Sequence, residues 1–352
     1  VSRSPSKARA WLEIMRISNA PTVVSNAIAG GVLGFYAKGG ASSLDLLDAR
    51  WIIILAPLCC YIGGMVLNDA FDARIDARER PERPIPSGRI SRGAAFVVGA
   101  LLLLGGIAFA AATGSMLATL ATAVLAIAVL AYDTVHSYIA ASVVLLAVCR
   151  ALAAIIPMAA FATDAQTIAS SGILAHPAAL AVWTLILSIL ARGEVAAPRA
   201  PFPPCPWCGH PMLSDANACS ECGKKPNPAV AETRASQRAL ALDMSRLLLM
   251  PALAAAFMLF LPRSPVTFEN FSGPMGPSLA MLVAIGLSVF LIFEARRRAR
   301  GYIGTPQFVG FLIAVLAGID AIALVNIGQP LALACAVCFT VTIVLQRRIA
   351  GS

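Results

Sequence analysis

The chain has 352 residues, of which 59% are hydrophobic and only 13% charged, with a formal net charge of +9. That balance excludes an ordinary soluble domain and points to an all-α, polytopic membrane bundle. The basic excess is then an orientation signal before it is anything else, and a nucleic-acid partner is not expected.

In chain order, Val1 to Ala10 are basic and free of acid, and the apolar stretch that follows has no small-residue cleavage site. It reads as a retained first helix, not a secretory signal. Trp11, Leu12, Ile14 and Met15 alternate with Glu13 and Arg16, which suits an amphipathic helix at the membrane interface. Hydropathy places spans near 20–36, 51–67, 94–112, 115–131, 139–162, 177–191, 247–262, 276–293, 307–325 and 331–345. With the amino terminus inside, 23 of the 27 Lys and Arg residues fall on the inner side, so the topology expected is nine or ten transmembrane helices in an inner or plasma membrane. A break in composition divides the chain into a first membrane part (1–195), a polar loop (196–236) and the remainder of the bundle (237–352).

The richest stretch lies at the inner end of the second span, over residues 68–91. If the helix continues, Asn68, Asp72 and Asp76 stand at i, i+4 and i+8, with Asp69 a quarter turn away, so all four point to one side. Clustered carboxylates repel unless a cation sits among them, and a site with few protein oxygens suits Mg²⁺, which completes its shell with water and phosphate. Six arginines between Arg74 and Arg92 offer forks for a diphosphate.

The run N-D-x-x-D-x-x-x-D followed by R-P-x-P-S-G-x-I-S resembles the first aspartate-rich motif of the UbiA superfamily of intramembrane prenyltransferases. The resemblance implies a UbiA-like helical bundle that moves an isoprenyl group from an allylic polyprenyl diphosphate to an aromatic or other lipophilic acceptor. It implies that Asp69, Asp72 and Asp76 hold Mg²⁺ and act in catalysis, that Asn68 stands beside them, and that Arg83 contacts diphosphate. The charge asymmetry puts the aspartate motif at the cytoplasmic face.

Further along, the third span is rich in small residues, including Gly99, Gly105 and Gly106, which favour close helix packing. The fourth ends in Tyr132-Asp133-Thr134-Val135-His136. Family members carry a Tyr near this place and a Lys four residues on, so Tyr132 is a candidate substrate contact and His136 stands where a fixed cation would be expected. Arg150 lies well inside an apolar span, which is costly unless it faces a cavity, an anion or a buried acid. It is a candidate second diphosphate contact, or else a structural partner of an acid such as Asp320. The C-R-x-L around it, and the R-G-E at 192–194, resemble an EboC-like branch of the superfamily. There the typical enzyme carries a second aspartate-rich motif. Here Glu194 alone could replace it, which keeps open a catalytically reduced protein that binds or transports an isoprenoid or phosphorylated lipid.

Within the polar loop, Cys205-x-x-Cys208-Gly and Cys219-x-x-Cys222-Gly form two knuckles, and four thiolates so spaced predict a closed, structural Zn²⁺ site. It resembles a small zinc ribbon on the cytoplasmic side, available as a docking module for a soluble protein partner. Cys335 and Cys338 sit in an apolar run and read as packing. There is no nucleophile–histidine arrangement, P-loop or dinucleotide fingerprint. The partners expected are thus membrane lipids, a polyprenyl diphosphate and a lipophilic acceptor.

Overall fold

The structure is a computed structural model that describes residues 7–38, 48–136, 142–162, 164–195, 222–223, 285–287, 289–291, 293–294, 297, 305–324 and 329–348. Among these residues it is wholly helical. The elements are α1 (Lys7–Ile14), α2 (Ala20–Ala37), α3 (Leu55–Glu79), α4 (Arg92–Ala112), α5 (Met116–Val135), α6 (Val143–Ala162), α7 (Ala165–Ser170), α8 (Ala175–Val195), α9 (Thr305–Leu324) and α10 (Gln329–Arg348). Short 3₁₀ turns over Ile17–Asn19 and Ala49–Ile54 lead into α2 and α3.

Six segments are long and apolar enough to cross a membrane, namely Ile17–Ala37, Ala49–Glu79, Arg92–Ala112, Met116–Val135, Val143–Ala162 and Leu331–Arg348. Ala175–Ile189 and Phe308–Leu324 are shorter apolar helices. These match eight of the ten expected spans in position. The span expected at 247–262 lies outside the described residues, and that at 276–293 is described only in part, as helical residues from 285 onward.

The helices start where their sequences supply caps. Ser91 and Ser115 accept hydrogen bonds from the backbone amides of Ala94 and Ala118, satisfying donors that a helix start leaves orphaned. On α4 the buried residues are Ala95, Gly99, Leu103, Gly106 and Ala110, one stripe at helical spacing that faces α3. Val97, Leu101 and Leu104 on the other side stay exposed, as a lipid-facing surface requires.

At the centre is α2, which packs against α3, α6, α9 and α10. Twelve of its eighteen residues are buried, so it is wrapped on nearly every side. Gly30 and Gly34 permit this: a Cβ on either would strike the backbone of α6, at Ala154 and Met158 respectively. Gly99 and Gly106 do the same between α4 and α3, whereas Gly105 faces open space and has no packing role.

Candidate active site

The α3 helix runs on past its apolar part to Glu79 and carries the acids out on one side. Asn68, Asp69 and Asp76 are buried and Asp72 is half-buried, while Arg74 on the far side is exposed.

The residues after α3 fold back over this face. Gly88 takes φ +75°, a left-handed conformation open to glycine without steric cost. The turn is closed by bonds from the Gly88 amide to the Ile85 carbonyl and from the Ile90 amide to the Pro84 carbonyl. Ser87 Oγ donates to the Arg83 carbonyl at 2.7 Å. Ile85 and Ile90 then pack with Ala10 and Ile14 of α1 and with Val66, Ala70 and Ala95. Arg89 adds an ion pair to Glu13 at 3.1 Å. The Pro-Ile-Pro-Ser-Gly run is therefore a clasp between α1 and α3, and it returns Arg83 to the acids.

Arg83 Nη1 bonds Asp76 Oδ2 at 2.8 Å and stands 3.8 Å from Asp69 Oδ1. A second cation arrives from the end of α1: Arg16 Nη2 lies 3.6 Å from the same Asp69 oxygen. Arg16 holds the left-handed conformation at φ 44°, ψ 47°, the one non-glycine residue with positive φ among those described. Such a backbone costs on the order of 1 kcal/mol or more and persists only where its surroundings fix it. Here the Tyr61 hydroxyl donates to the Arg16 carbonyl at 3.1 Å.

On the other flank, His136 Nε2 meets Asp72 Oδ2 at 3.0 Å, and Asn68 Nδ2 donates to Asp133 Oδ1 at 3.3 Å. The Tyr132 ring stacks on His136 with centroids 5.1 Å apart. His136 lies just beyond the membrane-spanning part of α5, and its hydrogen bond to Asp72 raises its pKa above the usual imidazole value, against the opposing pull of burial.

The three acids thus share a side of α3 without converging on one point. Arg83 is shared by Asp76 and Asp69, Arg16 also faces Asp69, and His136 meets Asp72; among the described residues no three His, Cys, Asp or Glu side chains form a protein-only metal cage. A hard cation still fits this donor set. Both Asp69 oxygens are buried, and neither accepts a hydrogen bond among the described residues, which is costly for a carboxylate that has no further ligand. Mg²⁺ typically takes one or two carboxylates and fills its shell with phosphate and water. Asp69, Asp72 and Asp76 are the carboxylates that would hold it.

Beneath the mouth opens a cavity of ≈ 180 Å³ among α2, α3, α5, α6, α8 and α9. Its wall is mostly apolar, with Val23, Pro57, Leu125, Leu187 and Ile313, while Tyr61, Tyr132, Asp133 and Arg150 supply polar groups. Arg150 reaches Thr22 Oγ1 at 3.3 Å and Asn26 Oδ1 at 3.1 Å. It makes no direct ion pair with Asp320 among the described residues, contrary to the structural alternative expected from sequence, because Asn26 stands between them.

The structure brings together Asn68, Asp69, Asp72, Asp76 and Arg83, with Tyr132 at their flank and Arg150 in the cavity wall. The side chain of Glu194, at the last turn of α8, lies outside the described residues, as do Cys205, Cys208 and Cys219; Cys222 alone of the four proposed zinc ligands is described. Sequence reasoning missed Arg16 as a site residue. The signal for Arg16 was a lone cation closing an amphipathic helix just before a span.

Acids and arginines at the mouth of an apolar cavity, inside a helical membrane bundle, define a site for an amphiphile with an anionic head. Residues 23–193, just under half of the chain, match the UbiA prenyltransferase family. The described spans mark the chain as an integral membrane protein. Similar curated proteins include the digeranylgeranylglyceryl phosphate synthases of Methanococcus maripaludis (36% identical over 99 residues, 28% of this chain and 34% of that protein) and Pyrococcus horikoshii (37% over 123 residues, 32% and 41%). The matches span about a third of the length of such relatives. Among solved structures, a UbiA homologue from Archaeoglobus fulgidus bound to GPP and Mg²⁺ superposes with a TM-score of 0.50 at 16% identity, covering 90% of this chain and 99% of that one. At that identity the likeness concerns the fold alone.

Proposed function

We propose that the chain is an intramembrane prenyltransferase that binds an allylic isoprenyl diphosphate with its head at the aspartate mouth and its tail in the apolar cavity. The observation that carries this reading is the return of Arg83, with Arg16, onto the buried acids of α3, whose neighbour Asn68 bonds Asp133 in the cavity wall.

Asp69, Asp72 and Asp76 would hold Mg²⁺, with Asn68 beside them. Bound there, Mg²⁺ neutralises charge on the departing diphosphate. Arg83 and Arg16 meet the same developing charge from fixed positions, the kind of pre-set electrostatics with most leverage on such a reaction. Arg150 offers a further cation from the cavity wall, Tyr132 borders the tail, and Glu194 stands in for the second acid-rich motif. The allylic cation is captured by a lipophilic acceptor. The motif faces the cytoplasm, as the distribution of Lys and Arg requires. The polar loop holds one structural Zn²⁺ on Cys205, Cys208, Cys219 and Cys222 and can dock a soluble partner. The C-R-x-L and R-G-E segments support an EboC-like branch.

A second reading has its own support. Asp72 and Asp76 are each paired with a cation of the protein, His136 and Arg83, and a head group would have to compete for them. On that reading the protein binds or moves an isoprenoid diphosphate without cleaving it.

The deciding experiment supplies labelled geranylgeranyl or farnesyl diphosphate, Mg²⁺ and a lipid extract to the protein in nanodiscs. Diphosphate release with a new prenylated product, reduced about 10²- to 10³-fold in Asp72→Ala, is the outcome expected. Mg²⁺-dependent binding with no release would favour the second reading, and binding indifferent to Asp72→Ala would remove both. For the loop, metal analysis of purified protein should give about one Zn²⁺ per chain, lost in Cys208→Ser; zinc-free wild-type protein would refute the ribbon.

A further inference from the structure

Away from the aspartate mouth, four helices each bring polar groups to one buried network. Arg150 on α6 donates through Nη1 to Thr22 Oγ1 and Asn26 Oδ1 on α2. Asn26 Nδ2 donates to Asp320 Oδ2 on α9 at 2.7 Å, and Ser25 Oγ donates to the same oxygen at 2.6 Å. His176 Nε2, at the start of α8, bonds the other Asp320 oxygen at 2.7 Å. Thr22, Ser25, Asn26, His176 and Asp320 are at most 1% exposed, so the network is shut off from bulk solvent.

The direction of the chain is forced. A carboxylate only accepts and a guanidinium only donates. Asn26 must therefore turn its NH₂ to Asp320 and its carbonyl oxygen to Arg150, and each partner enforces the orientation that the other needs. Direct contact between Asp320 and Arg150 would fill the guanidinium fork and cancel its charge at short range. One interposed amide holds the arginine while keeping the counter-charge further off, where its Coulomb pull is weaker. Both described bonds to α2 use Nη1, and Arg150 lines the cavity, so the rest of the fork serves that space.

We propose that Asp320 and His176 are positioning residues for Arg150, fixing its guanidinium through Asn26 as an anion contact in the cavity wall. The idea rests on the prenyl-donor reading above for the identity of the anion, a diphosphate head. The bonds among Arg150, Asn26, Asp320 and His176 stand apart from that reading.

The test measures Mg²⁺-dependent binding of labelled geranyl diphosphate to the full chain in nanodiscs. Asp320→Asn should weaken binding about tenfold, the usual scale for losing hydrogen-bonded support of a charge. Arg150→Gln should do at least as much, and the two together no more than Arg150→Gln alone. Additive losses would overturn the proposal. Joining Asn26→Asp to Asp320→Asn moves the carboxylate directly onto Arg150, which still holds the guanidinium but cancels its charge at short range, so this exchange should leave binding as weak as in Asp320→Asn; recovery to the wild-type level would count against the proposal.

A second readout needs no ligand. The rate at which phenylglyoxal modifies Arg150, followed by peptide mass spectrometry, should rise several-fold in Asp320→Asn and in His176→Ala, and fall back in the exchanged pair. Unchanged rates in variants that keep the wild-type unfolding temperature would refute the positioning role. Wild-type protein that binds no geranyl diphosphate would instead refute the prenyl-donor reading, while the phenylglyoxal rates still decide whether Asp320 holds Arg150.

Discussion

The two polar clusters of this bundle are built on opposite plans. At the mouth, Asn68, Asp69, Asp72, Asp76 and Arg83 come from one short run of chain, and their charges sit on a helix end and a turn. In the interior, Arg150, Asn26, Asp320 and His176 come from four helices, with bonded partners separated by 124 to 294 residues. The mouth combines charges that a ligand can rearrange, because Asp72 and His136 are still partly exposed and the clasp is a loop. The inner network has no such freedom. All of its members but Arg150, which faces the cavity, are sealed by helix packing, and a buried polar group left without its partner costs about 1 to 3 kcal/mol.

The sharpest way to break the contrast is at Arg83. It is 6% exposed and compensates both Asp76 and Asp69. Arg83→Ala should lower turnover by about 10²-fold. It should also deepen the Mg²⁺ requirement for folding, since a metal can take over part of the lost charge. Unfolding temperatures with and without Mg²⁺ check this: a variant as stable as wild type and indifferent to Mg²⁺ would mean that the acids do not depend on the clasp. No comparable rescue by metal is expected for the inner cluster.

A smaller effect is expected from the packing that aligns the inner network. Gly30→Ala puts a methyl against the Ala154 carbonyl of α6, beside Pro157, and backbone cannot turn aside as a side chain can. Overpacking of this kind costs about 1 to 3 kcal/mol. Gly105→Ala, on an open face of α4, should change stability by less than about 0.5 kcal/mol. Denaturation in detergent can compare the two. Equal costs would show that α2 is not the tightly held centre of the bundle.

The same contrast explains what was legible in the sequence. The mouth could be read because a helix repeat and a Pro-Ser-Gly turn are local facts: spacing alone put Asn68, Asp72 and Asp76 on one side. Spans could be read for the same reason, since hydropathy is a property of a window. What escaped was every relation between distant parts. Arg150 and Asp320 could each be marked as expensive in a membrane, yet nothing in either segment says that Asn26 stands between them. Nor does the sequence show that Arg16 adopts a left-handed turn, because that conformation is held by Tyr61 of another helix. The partners of the three acids escaped for a related reason. Helical spacing fixes a shared side, but the partners His136 and Arg83, arriving from elsewhere, decide where each carboxylate points.

His136 gives the finest test of the mouth. It stands where a fixed cation was expected, bonds Asp72, and lies against the Tyr132 ring. A lysine there would keep a donor and a positive charge for Asp72 but would lose the flat stacking surface. If the imidazole serves only as that cation, His136→Lys should change turnover by less than about tenfold, a difference of at most 1.4 kcal/mol in the barrier. Tyr132→Phe should be similarly mild, because the ring and not the hydroxyl makes the stack. Parallel kinetics on the two variants separate the cases. A loss near 10²-fold in His136→Lys with Tyr132→Phe unaffected would mean that the ring nitrogens themselves take part, and the mouth would then rely on a group that can give up its proton, where a simple electrostatic clamp needs only charge.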